Sequence, residues 1–234
     1  MDDPTLRTRL AERFREVNGD HPMSAADDAY ATAWYADLEE VCRAAGRDPA
    51  GVRRTMLDGR LPLPSYLRSD GAEMVPRDLF ALADRAGGAD ALHGWFVAQW
   101  DDPAAGEREW AAYLSGQYVC LRTVSPATIQ RKDALVTAIT AATASAAASA
   151  SSSGIGDPDV GTPAWTLRLH ALVDELDALE PPFTAYDRLR FGGPVSRDVC
   201  IDAVRARHPR PSPDPAAGTG TGVRPGTGQA PSRA

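Results

Sequence analysis

Hydrophobic positions recur every three or four residues along most of this chain, which is the periodicity of amphipathic helices. The clearest stretch begins after Thr162 and ends at Pro181. Its apolar positions are Trp165, Leu169, Leu172, Val173, Leu176 and Leu179. This pattern predicts a helix with one buried face. A turn at "FGGP" should follow it, and then a last helix from Ser196 to about Arg207.

Several helix starts are marked by a capping residue followed by proline. A short polar side chain can accept hydrogen bonds from the amides of a first turn, and proline at the first helical position loses no hydrogen bond. The chain carries four such dipeptides: Asp48-Pro49, Asp102-Pro103, Ser125-Pro126 and Thr162-Pro163. Each is predicted to begin a helix.

Two short helices are predicted near the middle of the first half. Residues 35–45 place apolar side chains at helical spacing, and Gly46 should end that helix. Pro49 begins a second helix, with Val52 and Met56 on its inner face. The pattern is therefore a helix, a turn and a helix.

Only one segment predicts strands. Residues 66–68 and 73–75 flank Asp70 and Gly71, and an Asp-Gly pair supplies the positive φ angles of a tight hairpin turn. A further helix should begin at Pro76. The fold class is therefore mainly α with a small β-hairpin.

Over residues 35–86 the chain resembles the winged helix-turn-helix of the mercury-resistance-regulator (MerR) family, on the segments "LEEVCRAAGRDPAGVRR", "DGRLPLP", "YLRSDGAEMV" and "PRDLFAL". The resemblance implies that the second helix enters the major groove and that the hairpin forms a wing on the DNA backbone. It implies base contacts for Arg53 and Arg54 and a phosphate contact for Arg68, with Arg60 completing a basic face.

The charge of this segment leaves two interpretations open. Residues 35–86 contain eight arginines and nine acidic residues, whereas DNA-binding domains are commonly basic. Either a local basic face binds duplex DNA, or the winged helix serves as a scaffold or a protein-binding module.

A dense group of aromatic residues follows. It contains Trp95, Phe96, Trp100, Trp110, Tyr113 and Tyr118. Because several of these positions share a helical spacing, they suit a hydrophobic core. The alternative is a pocket for an aromatic or hydrophobic ligand, for which the candidate residues are Trp95, Trp100, Trp110 and Tyr118.

Arginines near predicted helix ends form a second group of candidates. They are Arg122, Arg131, Arg188, Arg190 and Arg197, with Lys132 beside them. If they converge, they would hold an anion: a phosphate, a carboxylate, or the phosphopantetheine of a carrier protein. Otherwise they are solvated charges paired with Asp133, Asp187 and Asp198.

Two further segments, "AYLSGQYVCLRTVSPATIQRKDALV" and "PPFTAYDRLRFGGPVSRDVCIDAVRARHP", resemble an actinobacterial family of natural-product biosynthesis proteins. The resemblance covers most of residues 35–209. It implies an accessory or regulatory role in secondary metabolism, or alternatively a small tailoring enzyme or a carrier-protein partner. It implies no catalytic residue.

Other chemistry finds little support in the sequence. The four histidines match no metal-ligand spacing, and no nucleotide-binding fingerprint is present, so neither a metal nor a cofactor is expected. The chain has three cysteines, Cys42, Cys120 and Cys200. An odd number of cysteines far apart in the sequence favours reduced thiols. Cys120 is the candidate for a reactive thiol, since the other two lie on apolar helix faces.

The N-terminus carries charges where a signal peptide would be apolar, and no long apolar run is present. We therefore expect a cytoplasmic protein without membrane contact. The predicted organisation is a helical extension at 1–34, a winged helix at 35–88, and a helical domain at 89–208. Within that domain, the low-complexity stretch 141–161 should begin as the end of a helix and continue as a linker. The Pro- and Gly-rich residues 209–234 should be a disordered tail.

Overall fold

A computed structural model describes residues 4–151 and 159–211 of the chain. The fold is mainly helical with one small sheet, as the hydrophobic pattern predicts. The first half contains α1 Pro4–Asn18, α2 Ala25–Trp34, β1 Ala36–Asp37, α3 Leu38–Ala44, α4 Pro49–Leu57, β2 Tyr66–Leu67, β3 Glu73–Val75, α5 Ala81–Ala86, α6 Ala89–Val97 and α7 Pro103–Leu114. The second contains a 3-10 turn Gln117–Cys120, α8 Pro126–Ser151, α9 Pro163–Leu179, α10 Ala185–Phe191, a π-helical turn Arg197–Asp202 and α11 Ala203–Arg207.

The four predicted helix starts are confirmed. The side chains of Asp48, Asp102 and Thr162 accept hydrogen bonds from first-turn amides, and proline occupies the first turn in each case. The Ser125 hydroxyl accepts from the Thr128 amide at 3.1 Å. Local sequence therefore decides where these helices begin.

The start of the last helix differs from prediction. The Ser196 hydroxyl makes no cap and instead donates to Glu180, and the chain enters its last helix through the π-helical turn. Helix α8 continues to Ser151, so the low-complexity stretch from residue 141 begins as helix, as predicted. Residues 152–158, and the predicted tail from residue 212 onward, lie outside the described part of the chain.

The hairpin is confirmed and gains a third strand. The strand order is β1-β3-β2, all antiparallel, with Tyr66 opposite Met74 and Ala36 opposite Val75. The prediction that residues 35–45 are one helix is wrong at its start. Asp37 caps α3 by accepting from the Glu39 amide at 2.8 Å, which leaves the preceding residues free to pair with β3.

The helix predicted from Pro76 also begins later than expected, at Ala81, after a turn. Helices α5, α6 and α7 follow the hairpin, and each packs against the next along the chain. In the part of the chain that the structure describes, no helix is long and apolar enough to cross a membrane.

The described residues form three hydrophobic cores, the smallest of which packs Tyr186 of α10 against Tyr35 and Tyr66 of the first half. The first joins Leu10 of α1 to the α3–α4 pair and continues through Phe96 and Trp110 to Ile129. The second is built from α8, α9 and the π-helical turn, between Leu135 and Val204. Packing therefore does not separate at residue 88, where the sequence placed a domain boundary.

Candidate functional site

Arg53 is buried, so the expectation that it faces outward toward DNA is wrong. Its side chain is 1% exposed. Its Nε and Nη2 donate to Glu73 at 2.8 and 2.7 Å, and Nη2 also donates to Glu39 at 3.0 Å. Arg53 shares the inner face of α4 with Val52 and Met56, which turns the guanidinium toward β3.

The other three candidate DNA contacts lie on the surface, each beside a carboxylate. Arg54 approaches Asp48 at 3.5 Å, and Arg68 pairs with Asp70 across the hairpin turn. Arg60 lies between two acids, Asp58 at 2.9 Å and Asp90 at 2.6 Å. The basic face expected from the resemblance is therefore largely neutralised by neighbouring carboxylates.

The tryptophans belong to the first core. Trp110 is buried, with its ring 5.4 Å from that of Phe96. Trp95 and Trp100 are partly buried against the same cluster. Of the four candidate aromatic ligand contacts, only Tyr118 lines a cavity that the structure contains.

The candidate anion-binding arginines do not converge on one site. Arg131 pairs with Glu175 at 2.5 Å, Arg188 with Asp198 at 2.5 Å, and Arg197 with Asp177 at 2.6 Å. These three pairs lie on different elements, and each guanidinium already has a carboxylate partner. They fit the alternative of ordinary paired charges.

Arg190 has an internal structural role. Its guanidinium donates to Asn18 Oδ1 at 2.6 Å, to the Ser65 carbonyl at 2.7 Å and to the Gly116 carbonyl at 2.9 Å. Burial lowers the pKa of this arginine. The side chain joins α10 to α1, to the hairpin and to the end of α7, so its guanidinium is not available to a ligand.

Arg122, like Tyr118, is a predicted residue that lines a cleft in the described structure. The cleft has a volume of about 250 Å³ and lies between the hairpin, α5 and the segment from Tyr113 to Val124. The residues that line it are Trp34, Tyr35, Pro62, Leu63, Ser65, Pro76, Arg77, Asp78, Leu79, Leu82, Tyr113, Gly116, Tyr118, Leu121, Arg122, Thr123, Val124 and Pro181. We call this cavity the cleft.

The cleft combines apolar walls with a charged rim. The Arg122 guanidinium lies over the Trp34 ring at 4.8 Å from its centroid, a cation–π contact. Arg77 donates to the Tyr35 carbonyl at 3.4 Å. Among the described residues neither guanidinium has an ion-pair partner, although Asp78 also lies at the rim. The cleft therefore offers two cations close to apolar surface.

Tyr113 and Tyr118 are two of the three tyrosines that line the cleft, together with Tyr35. Burial raises the pKa of Tyr113, and burial together with the neighbouring Glu109 raises the pKa of Tyr118. The Tyr118 hydroxyl donates to Glu109. Both rings therefore contribute apolar surface without negative charge at neutral pH.

Gly116 fixes the wall of the cleft by its backbone. Its φ is +74°, and a Cβ at this position would lie 2.7 Å from the Pro64 carbonyl oxygen. The Arg190 guanidinium holds the Gly116 carbonyl from the other side. Only glycine allows both the left-handed conformation and this close approach.

Replacing Gly116 with alanine should therefore destabilise the protein by about 3 kcal/mol, from the left-handed backbone and the steric overlap together. Gly46→Ala is the matched control. Gly46 also has a positive φ, of +63°, but nothing lies within 4 Å of its Cβ position. The Gly46→Ala substitution should lower the free energy of unfolding, measured by urea denaturation, by only about 1 kcal/mol. Equal losses of stability in the two variants would show that the steric overlap with Pro64 does not contribute to the effect.

Sequence reasoning missed Trp34, Arg77 and the cleft itself. Trp34 ends α2, a segment without a motif, and Arg77 lies in "PRDLFAL", which entered the sequence analysis only through the winged-helix resemblance. The one usable signal was Arg122, which follows the aromatic group. No group of three His, Cys, Asp or Glu side chains in the described ranges is placed to hold a metal ion.

A family model matches residues 93–209, which is half of the chain. The chain belongs to DUF6058, a family of unknown function. No curated protein and no solved structure matches it. The DUF6058 segment supplies one wall of the cleft, including Tyr113, Tyr118 and Arg122, and the residues before that segment supply the other, including Trp34 and Arg77.

Proposed function

We propose that this DUF6058 protein is an accessory or regulatory protein that binds a small aromatic or apolar anion in the cleft. The observation that carries the proposal is the pair of rim guanidiniums, Arg77 and Arg122, that have no ion pair within the described ranges while apolar walls lie directly below them. The resemblance to actinobacterial biosynthesis proteins supports a metabolite of secondary metabolism as the ligand.

Physical chemistry favours a ligand with one apolar and one anionic end. Rings placed between Leu63, Tyr113 and Leu121 would leave water at a gain of roughly 25 cal/mol per Å² of apolar surface. A carboxylate at the rim would accept charge-assisted, two-pronged hydrogen bonds from guanidinium groups. The size of the cleft suits one or two rings.

Duplex DNA is the second candidate, favoured by the order of α3, α4 and the hairpin. It has less support because Arg53 is buried and Arg60 lies between two acids. Only Arg54 and Arg68 remain as exposed or half-exposed contacts on this face. A gel-shift assay at low salt tests this candidate, and salt-dependent binding lost on Arg54→Ala would favour it over the cleft.

Calorimetric titration with 2-naphthoate tests the cleft. We expect binding that Arg122→Ala weakens about tenfold, since loss of one charge-assisted contact costs roughly 1.4 kcal/mol. The uncharged 2-naphthylmethanol should bind the unaltered protein less tightly than 2-naphthoate does. Its affinity should be the same for the unaltered protein and for Arg122→Ala.

The matched control is Arg131→Ala, which removes an exposed arginine that is paired with Glu175 and does not line the cleft. It should leave naphthoate binding unchanged. If 2-naphthylmethanol binds as tightly as 2-naphthoate, the cleft is not an anion site. The same follows if Arg122→Ala, like Arg131→Ala, binds 2-naphthoate as tightly as the unaltered protein.

A further inference from the structure

Three tyrosines line the cleft, and two of them already use their hydroxyl groups inside the protein. The Tyr118 hydroxyl donates to Glu109, and the Tyr35 hydroxyl donates to the Val119 carbonyl at 3.4 Å. The Tyr113 hydroxyl differs, because it makes no hydrogen bond with any residue in the described ranges. Tyr113 is therefore the tyrosine of the cleft whose hydroxyl is left for a ligand.

The position of this hydroxyl is fixed by packing. Tyr113 is 5% exposed, and its ring lies in the first core, 5.3 Å from the Phe96 ring and 5.4 Å from the Trp110 ring. Its hydroxyl oxygen is not fully enclosed by protein, so it faces the cleft that Tyr113 lines. A hydroxyl held in this way offers a hydrogen bond at a defined place inside the cleft.

Ser65 brings a second free hydroxyl to the cleft. Its backbone groups are both in use, since the amide donates to the Met74 carbonyl at 2.8 Å and the carbonyl accepts from Arg190 at 2.7 Å. Its side-chain hydroxyl has no partner in the part of the chain that the structure describes, although Ser65 is 5% exposed. The segment before Ser65 runs beside the end of α7, where the Leu63 amide donates to the Leu114 carbonyl at 2.8 Å. Neighbouring segments therefore supply both hydroxyls.

The polar groups of the cleft differ in how exposed they are. Arg77 and Arg122 are exposed, whereas Tyr113 and Ser65 are buried. An anionic group beside the buried hydroxyls would lose most of its hydration, which a charge at the exposed guanidiniums keeps. The charge of a ligand therefore belongs with the arginines. A neutral group that can both donate and accept a hydrogen bond belongs with the two hydroxyls.

We propose that the ligand of the cleft is a hydroxylated aromatic acid, whose hydroxyl pairs with Tyr113 and Ser65 while its carboxylate stays at the arginine rim. This inference rests on the proposed function and adds the specificity of the same site. Tyr113 and Ser65 are the specificity-determining residues, and Arg77 and Arg122 supply the charge.

Selection by the two hydroxyls follows from what they lose when a ligand without a hydroxyl binds. In the free protein both groups are accessible to solvent through the cleft. An aromatic anion without a hydroxyl would cover them and leave both buried without hydrogen-bond partners. A ligand hydroxyl at the same place can accept from one group and donate to the other, so the site discriminates in its favour.

Calorimetric titration with ligands of the same ring system tests the proposal. In 6-hydroxy-2-naphthoate the hydroxyl lies at the end of the rings opposite the carboxylate, and 2-naphthoate lacks it. We expect the unaltered protein to bind the 6-hydroxy compound about tenfold more tightly, from two hydrogen bonds between neutral groups. The isomer 3-hydroxy-2-naphthoate should show no such gain, because its hydroxyl lies beside the carboxylate and stays with it at the rim.

A double variant, Tyr113→Phe with Ser65→Ala, keeps the aromatic ring and removes both hydroxyls. It should bind 6-hydroxy-2-naphthoate and 2-naphthoate within about twofold of each other, since the source of the preference is gone. Tyr186→Phe is the matched control, because Tyr186 is a buried tyrosine that does not line the cleft. It should retain the full preference for the 6-hydroxy compound. Thermal unfolding checks that each variant is folded.

The ligand series separates this inference from the proposed function, and it does so in the unaltered protein even if a variant fails to fold. Binding of 2-naphthoate that depends on Arg122, with no gain from the 6-hydroxyl group, would overturn the hydroxyl selection and leave the anion site standing. A full preference retained by the folded double variant would overturn the assignment to Tyr113 and Ser65. If neither compound binds, the proposed function fails and this inference fails with it.

Discussion

Replacing Arg53 with methionine is expected to lower the free energy of unfolding by about 3–5 kcal/mol. The variant keeps the aliphatic volume of the side chain but leaves Glu73 buried on β3 without its cation. Uncompensated charge in a low-dielectric interior is the reason for the size of the loss. Urea unfolding followed by circular dichroism measures it.

Arg54→Met is the matched control, because Arg54 is the next residue of the same helix and is exposed. It should change stability by less than about 0.5 kcal/mol. Similar losses of stability in the two variants would mean that the buried ion pair of Arg53 with Glu73 does not account for the effect. Adding Glu73→Gln to Arg53→Met should recover part of the loss, since the stranded charge is then gone.

The Arg53→Met deficit should also shrink at acidic pH. Burial raises the pKa of Glu73 even with Arg53 present, whereas hydrogen bonds from Arg53 and Arg7 hold the pKa of Glu39 below its usual value. A carboxyl group whose pKa is higher in the folded than in the unfolded protein lowers the free energy of unfolding as pH rises through its titration. The variant should therefore be closest to the unaltered protein below the ordinary pKa of glutamate, and furthest from it at neutral pH.

Replacing Arg190 with methionine is expected to cost about 3 kcal/mol or more, because hydrogen bonds from a charged group contribute about 1.5–3 kcal/mol each. Three elements would lose a shared donor: α1 at Asn18, the hairpin at Ser65 and the end of α7 at Gly116. The carbonyl groups would remain buried without partners. Arg190→Lys should not restore stability, since one ammonium cannot reach acceptors on three elements.

Arg188→Met provides the comparison within the same helix. Arg188 is partly exposed and pairs with Asp198 at 2.5 Å. Its loss should cost about 1 kcal/mol or less. Thermal unfolding of both variants checks the difference. If Arg188→Met proves the more damaging, the internal network around Arg190 is not what holds the hairpin to α10.

The fold was largely predictable from local signals. Asp48, Asp102, Ser125 and Thr162 each begin a helix because a capping side chain and proline act within one turn. The Asp-Gly hairpin followed from the same kind of local chemistry. The third strand was not predictable, because a two-residue strand carries no period and exists only through pairing with β3.

The candidate site was predicted less well. Arg53, Arg131, Arg188, Arg190 and Arg197 were all candidate anion or DNA contacts, and each has partners inside the protein. The sequence shows that a guanidinium is present but not which carboxylate lies near it. Asp198 is ten residues from Arg188, whereas Glu175 is 44 from Arg131, so these pairings depend on how helices pack.

The sequence by itself determined the helical class, the four proline-marked helix starts and the hairpin, because each depends on side chains within a few residues of one another. The tertiary structure alone decided which arginines are buried and which line the cleft. It also brought Lys132 of α8 beside Glu180, which follows the end of α9. Such placements arise from side-chain packing between distant segments, which periodicity along one helix does not encode.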